Sequence, residues 1–595
     1  MRPTTTRRSA QREGVGPARR ATEATPLRDE PRRSKPSGPR TRRARILTGV
    51  AGLAAAALVL TGCAVQVRSQ PDPTIGADTM LINADHGNPQ FDRNFNPYLA
   101  NARTASKWMY EPLILTNPLD GEQTPWLASA VDQPDPKTID FTIRKDVTWS
   151  DGEPFTADDV KFTFDLAKKF PPLDIKGIWQ HIDSLEVEKG TGSGADAADH
   201  LIVHLKTDDV PAVGILGGVY IVSEHQWSKV KDPTTWRNPN PIGTGPFTLG
   251  NYSPLQYSMD KNENYWQADK IEIEHLILPA TNSQLDTVAR GYDWAYSYIS
   301  DVSGTWGAAS KSNQWWFPAA GVIGLTPNLT KAPFNDVDVR RGISLALDRD
   351  KIADSATEGN LTAAGQTGLI LPNQEKWLNP DIPDGGLIKQ DVDAALASFA
   401  KAGYTQKDGK LVDQSGKQLS FSILTANGYS DWLRAVQEAQ RNLTAIGIDV
   451  KITAPQPAGY QQAIDNGKFD MAMGGMGNGD VYQAYNSLLS SDFYQPVGKS
   501  AQNNRERFKD PAVDKLLVEL KSTIDEADQK PIVDQLQQVV YDHLPIIGMY
   551  YGGSWGLFSD AKFTGWPTEK DPYMIPQNYD SAPLGIFVRL KRVDK

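Results

Sequence analysis

Hydrophobic positions follow two different periods along the chain, and the period changes from one segment to the next. Over residues 139–143 single polar residues separate the apolar ones, which predicts a half-buried strand. Thr156 and Asp159 have the spacing of a helix capping box, and apolar residues recur on one face over 160–167. The pattern therefore predicts strands that alternate with helices, as in α/β proteins.

A further helix is predicted after Asp510, because a capping residue followed directly by proline is typical of a first helical turn. The apolar residues that follow recur with helical spacing, which predicts one buried face. These residues are Val513, Leu516, Leu517, Leu520 and Ile524.

Residues 419–453 form the clearest local unit. An alternating strand over 419–423 precedes a helical pattern over 431–446, and a second alternating strand covers 448–452. A helix between two such strands predicts a parallel βαβ crossover. Ligands of open α/β sheets bind beyond the carboxyl ends of the strands, and Trp432 lies there at the start of the helix. Trp432 is therefore a candidate for the wall of a cleft.

The N-terminal region has the pattern of an export signal that ends at a lipidation site. A basic cluster over 40–45 precedes a largely apolar stretch of 15 residues over 46–60, too short to span a bilayer. Cys63, the only cysteine, follows in the run Leu-Thr-Gly-Cys, which resembles a bacterial lipobox. We therefore expect residues 1–62 to be a disordered basic leader with a lipoprotein signal peptide. Residues 63–77 would be a lipidated tether, which places the protein on the cell membrane, facing the extracytoplasmic side.

The charge of the exported part narrows the range of partners. Residues 63–595 contain 48 basic and 68 acidic side chains, a net charge of −20. Such a surface disfavours nucleic acid and electrostatic binding to anionic lipid. Because there is no second cysteine, no intramolecular disulfide contributes to stability, and the apolar core must hold the exported part together.

The chain lacks the residue patterns of the common catalytic and metal sites. Its seven histidines are scattered, and neither a His-Glu-x-x-His nor a Gly-x-Ser-x-Gly motif occurs. The glycine-rich run 474–479 lacks the Lys-Ser/Thr of a nucleotide site, and Pro246 removes an amide donor from the run 243–246. We expect no catalytic residue, no metal and no cofactor, and hence a protein that is not an enzyme.

The tryptophan content is the sequence feature that points to a function, namely ligand binding. All 15 tryptophans lie in the exported part. Indole rings stack on the apolar faces of sugars while their N–H group donates a hydrogen bond, although many tryptophans serve only in packing. Trp306, Trp315 and Trp316 lie in a segment rich in glycine and serine, which favours a loop position and makes them candidates for ligand contact.

Several ordered motifs give the chain a family resemblance. They are YEPL at 110–113, WSDGEPFTADDV at 149–160, GTGPF at 243–247, NLTKAPF at 328–334, DV at 336–337, VRR at 339–341, ALDR at 346–349 and LPII at 544–547. With these motifs the chain resembles the family 5 extracellular solute-binding proteins of ABC importers, which are receptors for oligopeptides, dipeptides, nickel and oligosaccharides. The resemblance covers about residues 78–590.

The resemblance implies an α/β fold of the periplasmic-binding-protein type, in its type II family 5 form with an extra subdomain. Residues 78–324 and 549–595 would form lobe I, which includes the extra subdomain. Residues 325–548 would form lobe II. Crossing strands would join the two lobes as a hinge, and the ligand would be enclosed between them.

The ligand class stays open between sugar and peptide. Peptide-binding relatives hold the ligand's α-amino group with an Asp in a Gly-Asp-x-x-Asp-Pro-like loop. The corresponding run 477–486 keeps Asp480 but lacks the following Asp-Pro. The runs GWP at 565–567, DPY at 571–573 and WWFPAAG at 315–321 resemble the branch that binds cello-oligosaccharides and other β-linked oligosaccharides. We therefore expect an oligosaccharide, with an oligopeptide or dipeptide, or a signalling or chaperone-like role of the same fold, as alternatives.

The expected site combines aromatic walls with a few polar groups, as is common in small-molecule pockets. Trp306, Trp432 and Trp555 would stack on sugar rings, and Asn94, Asp480 and Asn486 would orient the ligand by hydrogen bonds. The closed, ligand-bound form would then be recognised by an ABC permease with its ATPase subunits. We expect a monomer attached to the membrane by the lipid on Cys63.

Overall fold

The computed structural model describes residues 75–85, 89–190, 198–281, 284–477 and 479–593. The expected leader, the lipidation site at Cys63 and most of the tether lie outside the described residues. Within these ranges, no helix is both long enough and apolar enough to cross a membrane.

Strands occur from one end of the described chain to the other. They are β1 Thr79–Asn83, β2 Ile114–Thr116, β3 Gln123–Pro125, β4 Ala128–Asp135, β5 Thr138–Ile143, β6 Ile182–Glu188, β7 His200–Leu205, β8 Phe247–Ser253, β9 Gln256–Lys261, β10 His275–Pro279, β11 Trp294–Tyr296, β12 Asn313–Trp316, β13 Ala319–Pro327, β14 Thr405–Lys407, β15 Lys410–Val412, β16 Ser420–Leu424, β17 Asp449–Thr453, β18 Met471–Met476, β19 Ile547–Gly553, β20 Gly556–Ser559, β21 Phe563–Thr564 and β22 Lys591–Arg592.

The α-helices lie between these strands. They are α1 Ser106–Met109, α2 Ala157–Lys169, α3 Ile178–His181, α4 Ala212–Gly217, α5 Glu224–Trp227, α6 Gln284–Ala289, α7 Val337–Ala346, α8 Arg349–Thr357, α9 Val392–Lys401, α10 Ser430–Ala445, α11 Pro457–Asp465, α12 Val481–Leu489, α13 Pro511–Ser522, α14 Glu526–His543 and α15 Ala582–Phe587.

Two large mixed sheets organise the fold. The first has the strand order β12-β20-β11-β1-β10-β9-β8, in which β1 runs parallel to both β10 and β11. The second has the order β17-β16-β18-β13-β19, and β13 pairs antiparallel with both β18 and β19. A separate antiparallel sheet, β4-β5-β7-β6, lies over residues 128–205, within the expected lobe I. These sheets give the expected α/β fold with two lobes.

The chain passes between the two large sheets at two short connections. Phe317 and Pro318 separate β12 from β13, and Ser554 and Trp555 separate β19 from β20. The rings of Phe317 and Trp555 meet edge to face at 5.1 Å, so the two connections pack against each other. This is the place at which crossing hinge strands are expected.

The apolar cores follow the same division. One buried cluster uses residues from 80–294 and 558–590, and it includes both the seven-stranded and the four-stranded sheets. Two further clusters use residues from 319–551, on the side of the five-stranded sheet. Since each large sheet has its own core, a change in the angle between the sheets leaves most apolar contacts intact.

Local sequence patterns predicted several elements correctly. Strand β5 alternates between buried and half-buried residues, and Thr156 and Asp159 form the predicted capping box at the start of α2. Strands β16 and β17 are parallel and are joined by α10, which confirms the βαβ unit. Asp510 caps α13 by accepting a hydrogen bond from the Ala512 N–H at 2.8 Å.

For one residue, Ile524, the predicted place on the buried face of α13 is wrong. The helix ends at Ser522, and Ile524 is 41% exposed in the short connection to α14. Val513, Leu517 and Leu520 form the buried face of the helix. Helical periodicity in the sequence continued past Ser522 to Ile524, directly before the cap of the next helix at Asp525, so the pattern alone placed the end of α13 too late.

Candidate ligand-binding cleft

Two cavities lie where segments that carry the first sheet face segments that carry the second. One, here named the Asp120 chamber, has a volume of about 570 Å³. The other, here named the Lys176 chamber, has a volume of about 540 Å³. Gln123, Pro211 and Asp480 line both chambers, so the two adjoin at Asp480 and are treated together as the cleft.

The Asp120 chamber has a mainly acidic lining with an apolar wall. Its carboxylates are Asp120, Glu122, Glu526 and the shared Asp480. Lys376 is its single cationic side chain, and the ammonium lies 2.5 Å from the Glu526 carboxylate. The apolar wall and the amide groups complete the lining. Together with Gly121 and Gly479, they are Val210, Pro211, Val213, Trp377, Val481, Tyr482, Gln123, Gln133, Asn373 and Gln529.

The Lys176 chamber contains two ammonium groups and one further carboxylate. Lys107 contacts Asp580 in an ion pair, and both residues line the chamber together with Lys176. Burial lowers the pKa of Lys176, and the charge of nearby Lys107 adds to this effect while that of Asp580 opposes it. An anionic group of a ligand would therefore be stabilised beside Lys176.

Asp480 is held in place by the start of helix α12. Its carboxylate accepts a hydrogen bond from the Gln483 N–H at 2.7 Å, the usual arrangement of a helix-capping residue. Burial raises the pKa of Asp480, whereas hydrogen bonds from the backbone lower it. The residue thus has a structural role as well as a position in the wall of both chambers.

Two glycines allow the opposite walls of the cleft to touch. A Cβ atom on Gly121 would lie 2.4 Å from the carbonyl oxygen of Gly479. A Cβ atom on Gly479 would lie 2.6 Å from the carbonyl oxygen of Pro118. Both distances are shorter than a contact between these atoms permits, so the approach of the loop 117–122 to the α12 cap depends on glycine at both positions.

The other predicted polar residues lie apart from the chambers. Asn486 is half-buried on α12, one turn beyond Gln483, which lines the Lys176 chamber. Asn94 is fully buried, and its side chain is bonded within its own loop. Its Nδ2 donates to Asn101 Oδ1 at 2.9 Å, and its Oδ1 accepts from the Asn96 N–H at 3.2 Å.

Trp306 and Trp555 belong to a small apolar cluster beside the sheet connections. Trp306 is fully buried and donates its indole N–H to the Gln314 carbonyl at 2.8 Å. Trp555 is half-buried and packs edge to face against Tyr298 at 4.8 Å. Neither ring lines one of the two chambers.

Trp432 lies at the start of α10, as the sequence predicts. It is half-buried, and its ring packs edge to face against Tyr429 at 5.3 Å and Tyr460 at 5.7 Å. The ring is absent from the lining of both chambers. Of the six predicted ligand-binding residues, the structure therefore brings Asp480 to the cleft and leaves the other five outside its two chambers.

Several lining residues carried no distinctive sequence signal. Lys107, Lys176, Glu526 and Asp580 come from distant segments that only the tertiary fold brings together. Trp377 was visible as one of the tryptophans, yet no local pattern separated it from those used in packing. Among the described residues, no group of three or more His, Cys, Asp or Glu side chains is placed to hold a metal ion.

A second set of contacts joins the two sides of the fold near the sheet connections. Arg434 on α10 donates a hydrogen bond to the Tyr298 hydroxyl at 2.5 Å, and its guanidinium lies 3.6 Å from Glu358. Glu358 also accepts from the Asp301 N–H at 2.7 Å. The two sides are therefore in contact around the cleft, as expected for a closed form.

Two lobes with chambers between them are the architecture typical of a substrate-binding protein. The family model for bacterial extracellular solute-binding proteins, family 5 (middle region), matches residues 122–496. The chain belongs to this family, whose members are the substrate-binding proteins of ABC importers.

The relatives of known structure or name agree with this assignment. The structure is similar to that of a periplasmic oligopeptide-binding protein of an ABC transporter from Thermotoga maritima, with a TM-score of 0.77 and 24% identity, covering 87% of this chain and 99% of that one. A second structure of that protein, bound to mannohexaose, has a TM-score of 0.69 and 25% identity over the same shares. The oligopeptide-binding protein OppA of Bacillus subtilis is 24% identical over 492 residues, which cover 77% of this chain and 85% of that protein.

Proposed function

We propose that this protein captures a short peptide between its two lobes and delivers it to an ABC permease. The observation that carries the proposal is the position of Asp480 and Lys176 in the wall of one chamber. A zwitterionic ligand presents an ammonium group and a carboxylate, and each finds an opposite charge in this chamber. A neutral sugar offers no group that would compensate either charge.

The protonation behaviour of the two groups supports a charged ligand. Burial raises the pKa of Asp480 and lowers that of Lys176, so both charged forms are disfavoured by their surroundings. A ligand ammonium near Asp480 and a ligand carboxylate near Lys176 would favour the charged forms again. The chamber would therefore gain electrostatic complementarity on binding.

An oligosaccharide is the second candidate. The amide groups and the ring of Trp377 in the Asp120 chamber suit a sugar, and the relative from Thermotoga maritima has been observed with mannohexaose. In this case Trp306, Trp432 and Trp555 would stack on sugar rings in an open form of the cleft, with Asn94 and Asn486 as polar contacts. This role requires these side chains to leave their present packing.

The remaining features of the receptor follow the same proposal. Cys63 carries the lipid anchor, residues 63–77 form the tether, and the protein acts as a monomer. Residues 78–324 and 549–595 form lobe I and residues 325–548 form lobe II. The lobes close over the ligand, and the closed form is recognised by the permease, which imports the ligand at the expense of ATP hydrolysis by its ATPase subunits.

Calorimetric titration of the purified protein tests the ligand class. The ligands are trialanine, trialanine with acetylated and amidated ends, and mannohexaose. We expect trialanine to bind, the blocked peptide to bind at least tenfold more weakly, and Asp480→Asn to weaken trialanine binding by about 2 kcal/mol. Glu569→Gln, in a surface turn away from both chambers, is the matched control. Binding of mannohexaose without trialanine would overturn the peptide proposal and favour the second candidate.

A further inference from the structure

The two chambers of the cleft differ in charge, and this difference bears on ligand selectivity. Besides Asp480, which both chambers share, the Asp120 chamber contains Asp120, Glu122 and Glu526 against Lys376 alone. The Lys176 chamber contains Lys107 and Lys176 against Asp580. One side of Asp480 is therefore net negative and the other net positive.

The Asp120 chamber already holds a cationic side chain of the protein itself. The Lys376 ammonium lies 2.5 Å from the Glu526 carboxylate and 5.3 Å from the centre of the Trp377 ring. An aromatic face beside a carboxylate is a favourable environment for an ammonium or guanidinium group. Lys376 therefore shows that an ammonium group fits within reach of both the Glu526 carboxylate and the Trp377 ring.

The chamber has room for a second cationic side chain. Its volume of about 570 Å³ is far larger than a single side chain needs. Asp120 and Glu122 lie in its wall, and among the described residues neither forms a salt bridge, since Lys376 is paired with Glu526. Val210, Pro211 and Val213 provide an apolar surface for the aliphatic part of a long side chain.

We propose that the Asp120 chamber is a subsite for a basic side chain of the ligand, so that the protein prefers peptides that contain lysine or arginine. This inference rests on the proposed peptide-binding function and adds the side-chain class. Glu122 and Glu526 are its main specificity-determining residues. Both carboxylates stay accessible to water, so the preference is an electrostatic selection with a modest cost of desolvation.

The test compares two tripeptides that differ only in charge at one position. Ala-Lys-Ala and Ala-norleucine-Ala have side chains of similar length, and norleucine lacks the ammonium group. Calorimetric titrations with the wild-type protein are expected to give about tenfold tighter binding of the lysine peptide. The difference should shrink as sodium chloride is raised, because salt screens exposed charges.

Variants test whether the Asp120 chamber causes the preference for the lysine tripeptide. The double variant Glu122→Gln/Glu526→Gln should lose the preference and bind the two tripeptides about equally. Glu569→Gln should keep the tenfold preference. Equal affinities in the wild type, or a preference that persists in the double variant, would overturn the subsite while leaving the peptide function intact. If neither tripeptide binds, the proposed function and the subsite both fail.

Discussion

The ammonium of Lys521, at the end of helix α13, lies 3.0 Å from the carboxylate of Asp209, which follows strand β7. The backbone reinforces this contact, because the Val210 N–H donates to the Lys521 carbonyl at 2.8 Å. His181 approaches the same carboxylate at 2.6 Å, and the Asp209 side chain is only 3% exposed. Val210 also lines the Asp120 chamber, so the Lys521–Asp209 pair joins the two expected lobes at the edge of the cleft.

Replacement of Lys521 by methionine should favour opening of the cleft. Methionine keeps most of the apolar stem and removes the charge, while the backbone contact to Val210 can remain. Lys521 is partly exposed and His181 still contacts the buried Asp209 carboxylate, so the expected loss is about 1 kcal/mol, or roughly fivefold in Kd, mainly through faster ligand release. Stopped-flow tryptophan fluorescence measures the release rate. Lys515→Met on the same helix is the control, and equal release rates in the two variants would contradict this role for the pair.

Glu111 is a buried carboxylate surrounded by aromatic donors. Trp126 donates its indole N–H at 2.6 Å, Trp266 donates at 3.2 Å, and the Tyr265 hydroxyl lies at 3.1 Å. Burial raises the pKa of Glu111 to about 7 in spite of these hydrogen bonds. The folded protein therefore holds a proton at this site that the unfolded chain releases at lower pH.

This raised pKa predicts a loss of stability as pH rises. Below pH 4.5 both states are protonated, and between pH 4.5 and about 7 the unfolded state ionises first, so the free energy of unfolding falls by on the order of 3 kcal/mol. Above about pH 7 this contribution is constant. Glu111→Gln removes it, because glutamine does not titrate.

Urea unfolding at pH 4.5 and pH 7.5 measures the effect as a difference between wild type and variant. Other buried acids, such as Glu506 with its pKa raised by burial to about 8, contribute equally to both proteins and cancel. Glu263→Gln, at an exposed position close to the aromatic donors in sequence, is the control. A wild-type protein and a Glu111→Gln variant with the same pH dependence would refute the assignment.

Trp432 distinguishes the two ligand classes. Because its ring packs against Tyr429 and Tyr460 and lines neither chamber, Trp432→Ala should leave peptide affinity unchanged within about twofold. A sugar that stacks on this ring would instead lose about 1–3 kcal/mol of binding free energy. Calorimetry with trialanine and mannohexaose separates the cases, with circular dichroism to confirm that the variant is folded.

Sequence patterns predicted those parts of the fold that short segments determine. The βαβ unit of β16, α10 and β17 follows from periodicity and from Gly447, whose φ of +92° ends the helix at a position suited to glycine. The family motifs supplied the two-lobe fold, which no local pattern could give. Helix ends were less certain, as the exposed position of Ile524 shows.

The cleft was harder to predict because it is assembled from distant segments. Lys107, Lys176 and Asp580 line one chamber together, although more than 400 residues separate Lys176 from Asp580 in the sequence. Trp306 shows the opposite case, since its glycine- and serine-rich surroundings favoured a loop position and ligand contact. The structure instead buries its ring fully and places it in a π-helical turn over Ser303–Gly307.

The contact between Gly121 and Gly479 predicts that cleft closure tolerates no side chain at position 479. In Gly479→Ala the new methyl group would meet the Pro118 carbonyl at 2.6 Å, so the loop 117–122 must move away from the α12 cap. Opening of the cleft would separate the loop 117–122 from the α12 cap and relieve this clash, so the melting temperature of the ligand-free protein should change little. Ligand affinity should fall at least tenfold, because the closed state that surrounds the ligand becomes less populated.

Calorimetry measures the affinity of Gly479→Ala, and small-angle scattering with saturating ligand measures how far the protein compacts. Gly459→Ala on the surface helix α11 is the control. A Gly479→Ala protein that binds and compacts like the wild type would show that the two glycines do not meet in the ligand-bound state.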